Sequence, residues 1–359
     1  MLIFLLFGFI ILIFSVISSI TKKREYLIAS FIFVFIFQAI RYNYGNDYIS
    51  YREIFNDINN NTSILSSDTR FELGWIILNK LFYSVGFESL IAFIAFFLSA
   101  VYYKFITFYV SPKYYWISVI LFYFDSNYLL INLTAIRQSI SIAFFLLSLI
   151  YYDKNKTFKS LLLLSIAPFF HGTSIILFPI LLIVLLINQY FKSRIFFKIL
   201  FIFLYVLLFF LSDYFKNYFN IFNTILLSQN YFQYANLEEY TSISILNIIF
   251  YTYLIYILLN YSSIKLKNSS HLYSLTITGL LFIPLVLAIP LIARLSYYFL
   301  PILIILIPNI FNHFKPAIFK IPFIFLIFLV IIIRLVRFFM SETYYPGFYQ
   351  YHTIFEKWN

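Results

Sequence analysis

The sequence predicts an all-α integral membrane protein, a polytopic bundle of about 12 transmembrane helices. Hydrophobic residues make up 63% of the 359 residues and charged residues only 11%, against about 45–50% and about 25% in ordinary soluble domains. Apolar runs of about 20 residues, the length that crosses about 30 Å of hydrocarbon, recur from Met1 almost to the C-terminus. No stretch is long and polar enough for a separate soluble domain, so we predict a single membrane domain over residues 1–359.

The predicted spans follow the apolar runs in chain order. They lie at 2–20, 26–40, 88–109, 114–132, 138–152, 158–170, 173–188, 196–212, 243–259, 271–290, 295–310 and 317–335. Runs 138–152 and 158–170 are too short to cross a bilayer at about 1.5 Å per residue, so we expect them to be tilted, extended or part of a broken pair. The first run has no preceding basic residue and no small-residue cleavage site, which indicates a retained helix rather than a signal peptide.

Composition also limits the chemistry and the partners. The absence of cysteine excludes disulfides, thiol nucleophiles and cysteine metal sites. The sequence has no D-x-D pair and no histidine-rich cluster, so we predict no metal and no other cofactor. The net charge is +11, but the basic residues lie in short clusters between apolar runs, a spacing typical of membrane loops rather than of a nucleic-acid-binding surface.

The distribution of basic residues predicts the orientation. With the N-terminus outside, the internal loops hold 13 lysines and two arginines, and the external side holds seven arginines and three lysines. The positive-inside rule favours this arrangement, with external loops at 41–87 and 213–242 and an external tail at 338–359. The rule does not account for external arginines, and planar, bidentate recognition of phosphate is the leading explanation for them.

The first external segment opens with RYNYGNDYISY. Arg41 lies at the predicted membrane boundary, where it either binds an anionic head group or anchors the helix end by snorkelling. Asp47, close after Gly45, is either a catalytic base or a turn former.

The stretch FELGWIILNKLFYSVGF predicts an amphipathic helix in the membrane interface. Its predicted apolar face consists of Phe71, Trp75, Leu78, Phe82 and Val85, and its polar face of Glu72, Asn79 and Lys80. Glu72 opens the helix, where a carboxylate either caps the N-terminus or serves in catalysis.

Arg137 and Gln138 precede a long apolar run, and no acidic residue lies within ten positions of Arg137. An arginine in or near hydrocarbon costs about 2.5–3.5 kcal/mol on insertion scales. Because Arg137 has no counter-ion nearby in the sequence, we expect it to face a polar cavity or an anionic ligand.

His171 and Arg294 interrupt later apolar runs. His171, followed by Gly172, is either a satisfied polar residue of the core or a group that hydrogen-bonds or deprotonates a substrate hydroxyl. Arg294, between two prolines, is either a second phosphate contact or a helix-end anchor. Arg334 and Arg337 end the last run, and we predict that both are anchors.

The order of these motifs resembles the EpsG branch of the Wzy polymerases of O-antigen and exopolysaccharide synthesis. The shared pattern has Arg, Gly and Asp after the second span, Glu before a Gly-aromatic pair, Arg-Gln opening a central helix, His heading a later one and Arg before aromatic residues near the end. The corresponding residues here are Arg41, Gly45, Asp47, Glu72, Arg137, Gln138, His171 and Arg294.

The resemblance implies a C-type (GT-C) membrane glycosyltransferase whose cavity faces the periplasm. The implied donor is a growing glycan on undecaprenyl diphosphate, and the implied acceptor is a lipid-linked repeat unit. Other implied partners are the bilayer and a chain-length regulator protein. Arg41, Arg137, Gln138 and Arg294 would bind the diphosphate, and Asp47, Glu72 and His171 are candidates for the base. Two alternatives stay open, an O-antigen ligase and a flippase for lipid-linked oligosaccharides.

Overall fold

The computed structural model describes residues 1–60, 71–191, 199–211, 250–255, 257–258, 270–286, 292–313, 320–341 and 345–358. These residues form two compact units, the first made of Met1–Ile175 and Ile304–Asn359 and the second of Ile176–Leu303. The structure is 86% helical, so the predicted all-α class is confirmed. The predicted external loop 213–242 lies outside the described residues, and the prediction of a single membrane domain stays a prediction.

The helices follow the apolar runs. The first ten are α1 (Leu2–Thr21), α2 (Arg24–Ala39), α3 (Tyr48–Asn60), α4 (Leu73–Leu81), α5 (Phe87–Tyr109), α6 (Tyr115–Phe124), α7 (Leu129–Thr134), α8 (Ile136–Asp153), α9 (Thr157–Ile166) and α10 (Leu177–Phe191). Later helices cover Ile199–Leu211, 250–255, 257–258, Ser270–Val286, Ala293–Phe299, Leu303–His313, Lys320–Met340 and Tyr345–Phe348. Short 3₁₀ turns lie at Pro112–Tyr114, Ala167–Phe169, Gly172–Ile176, Leu300–Ile302 and Ile354–Trp358.

Four stretches of the described chain are long and apolar enough to cross a membrane, namely Leu2–Thr21, Phe87–Tyr109, Arg294–Asn312 and Lys320–Met340. Shorter apolar helices of 10–17 residues accompany them. The predicted span 114–132 is broken, because α6 ends at Phe124 and a turn separates it from α7. These helices are those of an all-α membrane protein, and the count of about 12 spans stays a prediction.

Close packing of aromatic residues holds the first helices together. The ring of Phe4 on α1 stacks on Tyr123 of α6, with 4.7 Å between centroids. Gly8 lies on the same side of α1, where an added Cβ would come within 2.6 Å of the Phe124 ring. The glycine therefore allows α1 and α6 to approach closely.

A two-stranded antiparallel sheet joins the end of the chain to the segment after α2. Strand β1 (Arg41–Tyr42) pairs with β2 (His352–Thr353), with Arg41 opposite Thr353. Nearby, the Tyr351 ring stacks on Phe37 at 4.9 Å, and its hydroxyl donates to the Phe37 carbonyl at 2.6 Å. The tail thus holds the segment from which α3 begins.

The structure corrects the prediction for the amphipathic helix. The helix α4 ends at Leu81, and it buries Trp75, Ile76 and the predicted polar-face residue Asn79. The Asn79 Nδ2 donates to the Trp75 carbonyl at 2.7 Å, and its buried Oδ1 has no hydrogen-bond partner within the described ranges. The apolar residues Leu73, Ile77 and Leu81 are exposed instead. Apolar side chains are stable against lipid, so in a membrane protein the polarity of a face does not show which side is buried.

Candidate functional site

Three of the predicted site residues meet in the first unit, although they are far apart in the sequence. Arg137 Nη1 donates to Glu72 Oε2 at 2.5 Å. The other carboxylate oxygen, Oε1, accepts the backbone N–H of Gly172 at 3.0 Å and lies 4.0 Å from His171 Nδ1. Glu72 is thus the centre of a polar cluster that joins α4, α8 and the turn before α10.

The sequence predicts that Glu72 either caps the N-terminus of α4 or serves in catalysis, and in the structure its carboxylate does not cap the helix. Glu72 is the residue before α4, and its carboxylate makes no capping hydrogen bond to that helix. Only its backbone carbonyl serves α4, accepting N–H groups of Trp75 at 3.0 Å and Ile76 at 3.2 Å. The carboxylate is therefore available to bind Arg137 and Gly172.

Gly74 brings the two sides of the cluster together. A Cβ at this position would lie 2.6 Å from the backbone oxygen of Phe169. Phe169 ends a 3₁₀ turn, and His171 lies two residues later. The N–H of His171 donates to the Ala167 carbonyl at 3.2 Å. Only glycine therefore fits where α4 approaches the segment that carries His171.

Arg137 lies in the first turn of α8, and its side chain is 27% exposed. Its guanidinium carbon lies 5.1 Å from the centroid of the Phe71 ring, a cation–π contact. No acidic residue lies within ten positions of Arg137 in the sequence, but the fold supplies Glu72 as its counter-ion. Within the described part of the chain, Arg137 Nε has no hydrogen-bond partner.

Tyr51 also belongs to the cluster, although the sequence did not indicate it as a site residue. It is 6% exposed, packs edge-on against Trp75 at 5.3 Å and hydrogen-bonds to Arg137. Burial raises the pKa of the Tyr51 phenol, and the neighbouring Arg137 opposes that shift. The only signal in the sequence is that Tyr51 follows Asp47 by one helical turn.

Asp47 lies at the edge of the cluster. It is exposed, and its backbone carbonyl accepts the N–H of Tyr51 at 2.9 Å. Its charge is close enough to help raise the pKa of the Tyr51 phenol. Asp47 therefore neighbours the cluster through Tyr51, and its role as a base stays a prediction.

Arg41, predicted to lie at the membrane boundary, is buried within the first unit. It is 3% exposed, and its Nη1 donates to the carbonyls of Tyr44 at 2.9 Å and Leu133 at 2.7 Å. Burial lowers the pKa of Arg41 to about 10. Protein encloses the guanidinium, and the predicted contact with a lipid head group or diphosphate stays a prediction.

Gly45 belongs to the same junction. Its φ is +117°, and an added Cβ would lie 2.8 Å from the Leu133 carbonyl oxygen. Its N–H donates to the Gly347 carbonyl at 2.8 Å. The Arg41–Gly45 motif therefore builds a turn that α7 and the C-terminal tail hold in place.

Gln138 and Arg294 are not among the groups that meet at Glu72. Gln138 is 3% exposed and interacts within the protein, and its contact with a diphosphate stays a prediction. Arg294 lies in the second unit, in the helix Ala293–Phe299, and its contact with the diphosphate stays a prediction.

Arg334 was predicted to be a membrane anchor, and that prediction is wrong. Its Nη1 donates to Asp125 Oδ2 at 2.7 Å, and the two side chains are only 8% and 4% exposed. The pair connects the helix Lys320–Met340 to the end of α6. Arg337 is exposed, and its anchoring role stays a prediction.

No group of three or more His, Asp or Glu side chains in the described ranges is placed to hold a metal ion. The cluster offers a guanidinium that is fixed by a carboxylate, with an imidazole beside them. Such groups can bind an anion and orient a hydroxyl.

The apolar helices define an all-α membrane protein with a polar cluster built from three separate segments. The family model described as the EpsG family matches residues 24–353, and the chain belongs to that family. The resemblance seen in the sequence motifs is thereby confirmed. Comparison with curated proteins and with solved structures found no match.

Proposed function

We propose that the chain is a polysaccharide polymerase of the bacterial cytoplasmic membrane. It transfers a growing glycan from undecaprenyl diphosphate onto a lipid-linked repeat unit at the periplasmic face. Membership of the EpsG family supports a membrane protein of the polysaccharide polymerase type. The observation that carries the proposal further is the guanidinium of Arg137, which Glu72 holds beside His171.

Arg137 is suited to a diphosphate leaving group. Such a group needs no general acid, but it gains from prearranged positive charge as negative charge develops on its oxygens. A guanidinium has five N–H donors in a fixed fork. Glu72 and Tyr51 occupy part of that fork, and the side chain is 27% exposed, so donors remain for a ligand. Pairing with Glu72 lowers the net positive charge of the cluster, but it fixes the orientation of the Arg137 guanidinium before the substrate binds.

The contacts of Glu72 favour His171 over Glu72 as the base. Each oxygen of Glu72 already accepts a hydrogen bond, from Arg137 on Oε2 and from Gly172 on Oε1. Glu72 is therefore better suited to positioning than to proton transfer. His171 lies beside it, and an imidazole is a suitable general base for a hydroxyl.

The proposed reaction is a substitution at the anomeric carbon of the donor. The acceptor hydroxyl oxygen attacks the anomeric carbon of the donor, and its proton passes to His171. The bond between the anomeric carbon and the diphosphate oxygen breaks, and the electron pair leaves with the diphosphate, next to Arg137. Arg294 is the predicted second contact to that leaving group.

Substitution of Arg137 by alanine tests the proposal. We expect polymer formation to fall by about 100- to 1,000-fold, the usual cost of removing a donor that stabilises developing negative charge. The abundance of the protein in the membrane should not change. The matched control is Arg52→Ala, because Arg52 forms a similar half-exposed pair with Glu88 at 3.5 Å, with side chains 23% and 28% exposed. An equal loss of protein and polymer in Arg137→Ala would show that the residue is structural.

A second measurement separates this reaction from ligation and transport. Purified protein in detergent, supplied with a lipid-linked repeat unit, should make longer lipid-linked glycans. No compartments exist in detergent, so a flippase would produce nothing there. In cells that lack the protein, single repeat units should reach the final acceptor, whereas loss of a ligase would leave long chains unattached.

A further inference from the structure

A cavity lies at the C-terminal end of α1, away from the Glu72 cluster in the sequence. Its volume is about 630 Å³, and it is lined by Val16, Ser19, Ile20, Lys22, Lys113 and Trp116. Clefts that bind small molecules commonly measure about 300–1,000 Å³. The cavity is therefore large enough for a head group and part of an acyl chain.

The local structure fixes the walls of this cavity. The helix α1 ends at Thr21, and Lys22 takes a left-handed conformation with φ of 60°. Ser19 Oγ accepts the backbone N–H of Trp116 at 3.1 Å and donates to the Ser15 carbonyl at 3.0 Å. The bond from the Trp116 N–H joins α6 to α1, so the cavity is a feature of the packing of these two helices.

The lining combines positive charge with apolar surface. Lys22 and Lys113 both contribute, and there is no carboxylate among the six lining residues. Lys113 Nζ also lies 5.6 Å from the centroid of the Tyr114 ring. Since α1 is long and apolar enough to cross a membrane, its end lies where hydrocarbon meets the head groups.

We infer that this cavity binds an anionic phospholipid. The phosphate lies between the ammonium groups of Lys22 and Lys113, and the start of an acyl chain packs on Val16, Ile20 and the Trp116 indole. Basic pockets beside transmembrane helices suit such head groups, and tryptophan is favoured at the membrane interface. In the predicted topology the lipid belongs to the cytoplasmic leaflet.

A second cavity supplies a control. It measures about 490 Å³ and is lined by Phe311, Lys320, Ile321, Ile324, Phe325 and Phe328. Its lining has one lysine, and that Nζ lies 5.2 Å from the centroid of the Phe311 ring. With a single cation it should show little preference for anionic lipid.

Trp116 allows a direct measurement. The full-length protein is reconstituted in phosphatidylcholine vesicles that contain a small fraction of brominated phosphatidylglycerol or brominated phosphatidylcholine. The chain has three tryptophans, so the emission of Trp116 is obtained as the difference between the unchanged protein and a Trp116→Phe variant. We expect brominated phosphatidylglycerol to quench that emission at several-fold lower mole fraction than brominated phosphatidylcholine. About fivefold per lysine is the expected upper bound.

The double variant Lys22→Gln, Lys113→Gln should lose the preference, and Lys320→Gln should keep it. Equal quenching by the two lipids in the unchanged protein would overturn the inference, as would a preference that survives the double variant. If glycerol phosphate in solution abolishes the preference, the site binds free phosphate rather than lipid, and the inference fails. None of these outcomes depends on polymerase activity.

Discussion

Two arginine–carboxylate pairs in the first unit differ chiefly in burial. The Arg334–Asp125 side chains are 8% and 4% exposed, whereas the Arg137–Glu72 side chains are 27% and 24% exposed. Both pairs join distant parts of the chain. A sealed pair leaves little room for a ligand, while a half-exposed pair keeps donors that a substrate can reach. Burial therefore distinguishes the enclosed Arg334–Asp125 pair from the Arg137–Glu72 pair, but exposure alone does not mark a site, because Arg52 and Glu88 are 23% and 28% exposed.

The largest expected effect comes from breaking the sealed pair. Asp125→Asn removes the partner charge of Arg334 and should destabilise the protein by about 3–5 kcal/mol, because a buried charge is left uncompensated. The measurement is the amount of folded protein in the membrane and its thermal unfolding in detergent.

A second substitution sharpens that result. Asp125→Asn with Arg334→Met removes both charges, and the asparagine can still accept the N–H of Asn127, which binds Asp125 Oδ1 at 3.0 Å. This double variant should recover much of the lost stability. If it is as unstable as the single variant, the ion pair is not the reason for the loss.

Glu72→Gln tests the half-exposed pair. Glutamine keeps the size of the side chain and an acceptor for the Gly172 N–H, but it weakens the hold on Arg137. A hydrogen bond to a charged group contributes about 1.5–3 kcal/mol, so we expect polymer formation to fall by roughly 10- to 100-fold at normal abundance. A rise in activity would contradict the positioning role, because it would mean that Glu72 competes with the substrate for Arg137.

Gly74→Ala tests the close approach that assembles the cluster. The new Cβ would lie 2.6 Å from the Phe169 carbonyl oxygen, and overpacking of this kind costs about 1–3 kcal/mol. We expect a lower unfolding temperature and weaker polymer formation. Gly172→Ala is the control, because its nearest neighbour would be Glu72 Oε1 at 3.9 Å, an ordinary contact. Equal effects of the two substitutions would contradict the packing argument.

Tyr51→Phe should have the smallest effect. It removes one hydrogen bond to the charged Arg137 and keeps the ring against Trp75. Because Glu72 still holds the guanidinium, we expect a loss of about 1.5 kcal/mol, the low end for a bond to a charged group. Polymer formation should then fall by roughly 10-fold with no change in unfolding temperature. Tyr44→Phe is the control, because the Tyr44 hydroxyl is buried and has no hydrogen-bond partner in the described ranges. Equal activity of the two variants would show that Tyr51 does not position Arg137.

Apolar periodicity and length were enough to locate many of the helices. The run predicted at 2–20 is α1 at Leu2–Thr21, and the run predicted at 88–109 is α5 at Phe87–Tyr109. The same reasoning missed the break after Phe124, where Asp125 turns the chain to reach Arg334. Residues at 125 and 334 are too distant in the sequence for any local pattern to reveal their pairing.

The candidate site shows the same limit. Residue type and motif order selected Glu72, Arg137 and His171, and the structure places them together. They also selected Arg41 and Gln138, which are buried. An arginine beside a turn looks the same in the sequence whether its guanidinium faces a ligand or two backbone carbonyls.

The sequence by itself determined that the chain is an all-α membrane protein of the EpsG family, because hydrophobic length, charge and motif order are all properties of the linear chain. Only the tertiary structure decided which arginines are paired, which are enclosed and which keep donors free for a ligand. The physical reason is that the energy of a charge in a protein depends on its distance to other charges and on its exposure to solvent, and folding sets both.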